Sequence, residues 1–515
     1  VKRTTSFVAA LALLGAAACQ SREPQRRPPP MPVSDGLVAR LRPAPAVPVL
    51  GAQPHAEPSQ SGALELERVI QSVETNFPLV LAALEEFEIA RGRVLQAQGG
   101  FDTRLGAQGK LGIEGYYENE RADLLFEQPT ELFGATLSGG YRIGTGRFAG
   151  YDDDARTDEG GEFRFGVLVP LLQNFSIDPR RVALWQARIG EQQAEPIVTR
   201  KRLEATRKAA DIYWKWVAWG RKRAIAQRLL ELARGRQAQV QVLVDEGQIA
   251  RINLVDNERL IVEREASLVR AERGLQESAI LLSLYWRDAE GRPVVAGPEA
   301  LPQQFPAARP PEETLVPGDV ELALEQRPEV REIELEREQL ELDLSLSRNQ
   351  MLPAFDLGVV ASQDVGEQSG SVADRDPFEL QALFKFSLPL QRSRPRGKIR
   401  ELEAKLAKLT RETGYVKDVV ASEVGDASSA LRQAHARLAL ARRNVELALE
   451  LEAAERIALD EGQSDLFRVN VREQQTAVAA AAEVDVQNEY FKALADYRAV
   501  LGLTYDEVLP TGGRR

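Results

Sequence analysis

Asp245-Glu246-Gly247-Gln248 returns later in the chain as Asp460-Glu461-Gly462-Gln463, a turn sequence between two helical runs at two places 215 residues apart. Upstream of these turns three further stretches recur in the same order. Val167-Leu168-Val169-Pro170-Leu171 is matched by Phe386-Ser387-Leu388-Pro389-Leu390, and Gly100-Phe101-Asp102 by Ala354-Phe355-Asp356. The first pair is Thr75-Asn76-Phe77-Pro78-Leu79-Val80 and Glu325-Gln326-Arg327-Pro328-Glu329-Val330. In chain order the offsets are 250, 254, 219 and 215, so the two halves are nearly congruent except between the second and third anchors. There the first half is longer by 254 less 219, or 35 residues. The extra length spans Tyr116 to about Gly160, is rich in glycine and contains Asp152-Asp153-Asp154, which predicts a long surface loop.

Each half reads as helix, strand, loop, strand, helix, turn, helix. In the first half Leu105, Ala107, Leu111 and Ile113 alternate with Arg104, Gln108 and Lys110, and Phe163, Phe165, Val167 and Val169 alternate with Glu162, Arg164 and Gly166. In the second half Phe355, Leu357 and Val359 form one apolar row, and Phe378, Leu380, Ala382, Phe384, Phe386 and Leu388 form another. Period-two alternation gives strands with one apolar and one polar face. Leu137 to Ile143 either extends the second strand of the first half or belongs to its loop. By pattern alone such strands suit a small soluble sheet or a membrane barrel. The setting favours the barrel, because the helices between the strand pairs are far too long to pack on small sheets.

From about Pro179 to Val244, and again from about Pro395 to Leu459, each helix is on the order of 100 Å long at 1.5 Å per residue. In the second, Ile399, Leu402, Leu406, Leu409, Val416, Val420, Ala427, Leu431, Ala434, Leu438, Ala441 and Val445 keep a spacing of three and four, a coiled-coil-like seam. Pro196 is expected to disturb the first, since it lacks an N–H and crowds the preceding turn. Tyr213, Trp214, Trp216 and Trp219 are too dense for one helix face; they pack against neighbouring helices or form a membrane-interface belt.

The 515 residues are 28% charged and only 6% aromatic, a composition of long helices. A net charge of -11 argues against a nucleic-acid partner, which needs a basic face. Lys2 and Arg3 precede an apolar run from Phe7 to Ala18, which reads as a secretory signal over 1–18. Leu14-Gly15-Ala16-Ala17-Ala18-Cys19 resembles a bacterial lipobox, with Ala16 in place of the usual leucine, so Cys19 is the expected site of lipidation, the alternative being a buried or incidental cysteine in an ordinary cleaved signal. Cys19 is also the only cysteine, which leaves no intrachain disulfide. Residues 19–62 are a proline-rich tether. No later stretch has 18 consecutive apolar residues, so any spanning is by strands.

Four strands per chain cannot close a barrel, and open edges in hydrocarbon cost several kcal/mol for each unpaired backbone group. Copies must therefore pair edge to edge, and an aqueous lumen needs at least three of them. The order of elements, the duplicated halves and several motifs resemble the TolC-type outer-membrane factors over roughly Ala63 to Leu503. The motifs are Asn76-Phe77-Pro78, Pro170-Leu171-Leu172 running into Arg180-Arg181, Tyr213-Trp214-Lys215-Trp216-Val217, and Ala495-Asp496-Tyr497-Arg498 before Leu501-Gly502-Leu503. The resemblance implies a mainly α fold with a membrane β-barrel portion: a homotrimer with a twelve-stranded barrel and a long α-helical periplasmic tunnel. The first repeat would cover 63–315, the second 316–503, and a tail 504–515. It further implies a passive export conduit in the cell outer membrane, serving a tripartite efflux or type I secretion system. Partners would be outer-membrane lipid, a periplasmic adaptor and an inner-membrane RND or ABC transporter. A lipid-anchored periplasmic coiled-coil scaffold without a channel is the competing reading.

In that family the helix turns form the periplasmic tip, which makes Gly247, Gln248, Gly462 and Gln463 the expected adaptor-docking residues. Both glycines also suit simple helix caps. The chain departs from the family in having glutamate before and glutamine after each glycine. Some members carry a ring of aspartates beyond the second glycine; Arg468, Asn470 and Val471 stand there instead. Asp460, Glu461, Asp465 and Arg468 are then the candidate gate residues. No enzyme is expected, since His55 lies in the tether and His435 is alone on a long helix, with no triad, metal cluster or cofactor motif. Gly144-Thr145-Gly146-Arg147-Phe148-Ala149-Gly150 lacks the lysine of a phosphate loop.

Overall fold

The computed structural model describes residues 62–149, 156–311, 316–367 and 376–504. The expected signal segment, Cys19, nearly all of the tether, Asp152-Asp153-Asp154 and the tail beyond residue 504 lie outside them.

The first half begins with α1 (Leu66–Asn76) and α2 (Pro78–Gln98), then β1 (Arg104–Leu111), β2 (Asn119–Pro129), β3 (Thr136–Gly146) and β4 (Glu162–Pro170). It ends with α3 (Pro179–Asp245) and α4 (Ile252–Leu282). The second half runs α5 (Val316–Gln326), α6 (Pro328–Asn349), β5 (Ala354–Asp364), β6 (Phe378–Ser387), α7 (Ser393–Asp460) and α8 (Leu466–Val500). The matched prolines each open a helix, where a fixed φ and a missing N–H are no loss. α3 continues through Pro196, which is buried, so the proline does not end the helix.

The halves are congruent apart from one feature. The expected long loop between Tyr116 and Gly160 is instead largely the antiparallel hairpin β2–β3, and all six strands form one sheet in the order β1-β2-β3-β4-β5-β6. The count of four strands per chain is therefore corrected to six among the described residues, and with it the arithmetic behind a twelve-stranded trimer. Alternation was present in β2, where Ala122, Leu124 and Phe126 oppose Arg121, Asp123 and Glu127, but Leu125 interrupts it. In β3, Gly139 and Gly140 thin it out.

Four helices lie side by side at either end of the helical layer. Next to the sheet the order is α2, α3, α6, α7, and at the far end α4, α3, α8, α7. The two long helices, 67 and 68 residues, run through both sets and are each about 100 Å long. Buried Leu402, Leu409, Val420, Leu431 and Leu438 show that the seam of α7 is the one its spacing predicts. The main core lies partway along, where α1 and residues 283–311 wrap the helices. Trp214, Phe305 and Phe491 stack on one another with centroids 4.4–5.7 Å apart, Trp216 is fully buried, and the Tyr213 hydroxyl donates to the Leu64 carbonyl at 2.8 Å. Trp219 covers Gly274, where a Cβ would sit 2.4 Å from its ring. This aromatic group is helix packing; the interface-belt alternative is excluded by its burial among helices.

Candidate functional site

The two helix turns are built alike. Gly247 and Gly462 have φ of +74° and +72°, a region that costs any residue with a Cβ. At the first turn the Gln248 N–H donates to the Leu243 carbonyl at 2.9 Å and the Gly247 N–H to Val244 at 3.0 Å. At the second, Gln463 donates to Ala458 at 2.7 Å and Gly462 to Leu459 at 3.0 Å. These paired bonds are the Schellman closure of a helix C-terminus. A Cβ on either glycine would meet nothing within 4 Å, so the backbone angle alone calls for glycine. Gln248 and Gln463 are both exposed, beside exposed Val242, Ile252, Ile457 and Phe467.

Asp460, Glu461, Asp465 and Arg468 are all exposed at the second turn. The structure brings Asp465 and Arg468 together only through the backbone: the Asp465 carboxylate caps α8, accepting the Arg468 N–H at 2.9 Å.

A buried charge cluster a few turns above the tips was missed by sequence reasoning. The Glu473 side chain on α8 is fully buried and meets Arg236 of α3 at 2.5 Å, Arg456 of α7 at 3.1 Å and Arg264 of α4 at 3.4 Å. All four tip helices thus converge on one carboxylate. Arg264 also donates to the Leu229 carbonyl at 2.8 Å, and Arg456 pairs with Glu452 at 2.8 Å. Burial by itself would raise the Glu473 pKa, but the surrounding guanidiniums outweigh it and hold the carboxyl below its ordinary value. A signal existed in α4, whose buried Asn257, Arg264, Ala271 and Ser278 recur every seventh residue, a seam carrying polar groups.

The sheet has two distinct faces. Directly paired residues share a face, and one register row is apolar across all six strands: Leu105, Phe126, Gly139, Phe165, Ala361 and Leu380. On the opposite face Gln108, Asp123, Arg142, Glu162 and Asp364 form a polar row. Asp123 is held by Arg121 at 2.7 Å and Arg142 at 2.6 Å, and Glu162 lies 3.7 Å from Arg142. The apolar face is open, with Phe384 78% and Phe165 60% exposed. Among the described residues no helix is long and apolar enough to cross a membrane.

The chain matches no protein-family profile. No curated protein matches it by sequence. Solved structures do match it. It is similar to the open state of the Neisseria gonorrhoeae MtrE outer-membrane channel at 16% identity and a TM-score of 0.60, over 90% of this chain and 97% of that one. Similarity to CusC, described in terms of folding and transmembrane channel formation, is 13% with a TM-score of 0.61 over 90% and 99%. The Vibrio cholerae outer-membrane protein VceC follows at 15% and 0.59 over 86% and 97%. This chain has the fold of the TolC-type outer-membrane channels. Within the TolC-type fold, the turns at Gly247 and Gly462 are the ends of the helical layer remote from the sheet. The Glu473 cluster lies between those ends and the aromatic core.

Proposed function

We propose that the chain is the outer-membrane channel of a tripartite efflux or type I secretion system, a passive conduit from periplasm to exterior. It works as a homotrimer, with the sheet in outer-membrane lipid and the helices forming a periplasmic tunnel. The observation that carries this reading is the six-stranded sheet, apolar on one face and charged on the other, whose edge strands β1 and β6 each pair on one side only among the described residues, seated on helices about 100 Å long. An apolar outer band over a polar interior is what a water-filled barrel needs. A coiled-coil scaffold has no use for such a sheet.

The two repeats, over 63–315 and 316–503, supply one helix hairpin each to the tunnel. Gly247, Gln248, Gly462 and Gln463 present the adaptor-docking surface, and the pump behind the adaptor is of the RND or ABC class. Asp460, Glu461, Asp465 and Arg468 line the approach to the closed end. An acylated Cys19 adds an anchor in the outer membrane. A wall of β1, β4, β5 and β6 alone would give a trimer twelve strands; a wall of all six gives eighteen.

Single-channel conductance of the purified full-length assembly in planar bilayers tests the reading. Discrete steps are expected. A folded assembly that fails to insert into lipid overturns it in favour of the scaffold.

A further inference from the structure

We propose that the β2–β3 hairpin is a full part of the membrane wall, so that each copy contributes six strands and the trimer closes an eighteen-stranded barrel. The inference rests on the channel reading above and fixes the size of its pore.

Connectivity within the sheet is the first observation. β1 pairs with β2, and β3 pairs with β4; β1 has no bond to β4. A hairpin folded away as an external flap would leave β1 without a partner in its own chain. Unpaired backbone in hydrocarbon costs several kcal/mol per group, so β1 and the hairpin enter the wall together.

Length and height agree. β2 and β3 have 11 residues each, against the 9–11 or so that a tilted strand needs to cross a bilayer. The turn between them, residues 130–135, reaches the junction of sheet and helices. There Phe133 stacks on Phe175 with centroids 5.0 Å apart, and a Cβ on Gly134 would lie 2.5 Å from the Asn174 carbonyl oxygen. The hairpin therefore spans the full height of the sheet from the helical side outward.

Both faces of the hairpin continue those of its neighbours. On the apolar side Phe126 lies over Gly139, so closely that a Cβ there would be 2.2 Å from its ring, and Leu124 and Tyr141 continue towards Phe163. On the polar side Arg142 of β3 bridges Asp123 of β2 and Glu162 of β4. A one-residue slip would put these charges in lipid, and a hairpin lying outside the wall would part Arg142 from Glu162.

The geometry of closure fits six strands. The apolar band centres on Ala382 in β6, and the register line through Ala382 runs by Val359, Val167, Leu137 and Gln128 to the level of Thr103, about five residues short of the band's centre in β1. That stagger of about one residue per strand is the shear a tilted barrel requires. Six strands about 4.8 Å apart and tilted 35–45° cover an arc of roughly 35–41 Å. Four helices spaced 8–10 Å cover roughly 32–40 Å, so sheet and helical layer subtend the same share of a ring. An even number of antiparallel strands also leaves β1 and β6 running in opposite directions, as pairing between copies demands.

Cryo-electron microscopy of the full-length assembly in lipid nanodiscs counts the strands inside the lipid belt. Six per copy is the expected result. A belt crossed by only β1, β4, β5 and β6, with β2–β3 outside it, overturns the inference and leaves the channel standing. A sheet with no lipid belt around it overturns both.

Discussion

Glu473 of α8 and Arg236 of α3, 237 residues apart in sequence, meet at 2.5 Å inside the helical layer, with Arg264 and Arg456 on the same carboxylate. The contact ties the first-half hairpin of helices to the second. Replacing Glu473 by alanine leaves three arginines without their common acceptor, one of them, Arg264, almost wholly buried. Removing one partner of a buried pair costs about 3–5 kcal/mol. Hydrogen exchange in residues 229–264 and 452–473 should rise in the variant while the aromatic core stays protected. Unchanged exchange would show that the cluster does not hold the tips together.

The same group gives a pH dependence with a defined sign. Because the folded Glu473 pKa lies below its unfolded value, its contribution is fully present above the ordinary carboxylate range, near pH 4.3. It is lost as the pH falls through the folded pKa. Tip protection should therefore be flat from neutral pH to about pH 5 and decline only in stronger acid. In Glu473→Gln the acid-side decline due to this group should disappear.

Gly247→Ala and Gly462→Ala should each destabilise the turn by about 1–2 kcal/mol, since the left-handed backbone crowds a Cβ against its own carbonyl. Asparagine should be better tolerated than alanine at both positions. Proteolysis across each turn measures the effect. Equal susceptibility of alanine, asparagine and parent chains would mean that the turns relax freely.

Leu124 and Leu125 are adjacent but point to opposite faces of β2. Arginine in place of Leu124 should cost about 2–4 kcal/mol if it sits near the middle of the bilayer, whereas Leu125→Arg adds a charge to the polar face. Heat-modifiable, SDS-resistant assembly should fall sharply in the first and change little in the second. Equal behaviour of the two would remove β2 from the lipid boundary.

The long helices, their joining turns, the duplication and the alternating strands were legible because each depends on local periodicity. Helical spacing of three and four, alternation of two, and a glycine at each sharp reversal are properties of neighbouring residues. The hairpin β2–β3 was only half legible. Leu125 breaks the alternation, two glycines weaken the next strand, and acidic residues beyond it suggest solvent. Its partners, β1 on one side and β4 on the other, are what make it a wall strand rather than a loop.

The sequence by itself determined that two similar halves each carry amphipathic strands and a hairpin of long helices, since backbone period and side-chain polarity are written residue by residue. Tertiary structure alone decided that six strands share one sheet, that Arg142 bridges Asp123 and Glu162, and that four helices meet at Glu473. Those contacts join residues from 17 to 237 positions apart. A charged side chain looks the same in a sequence whether it faces water or an opposite charge from another helix, and only the packing distinguishes the two.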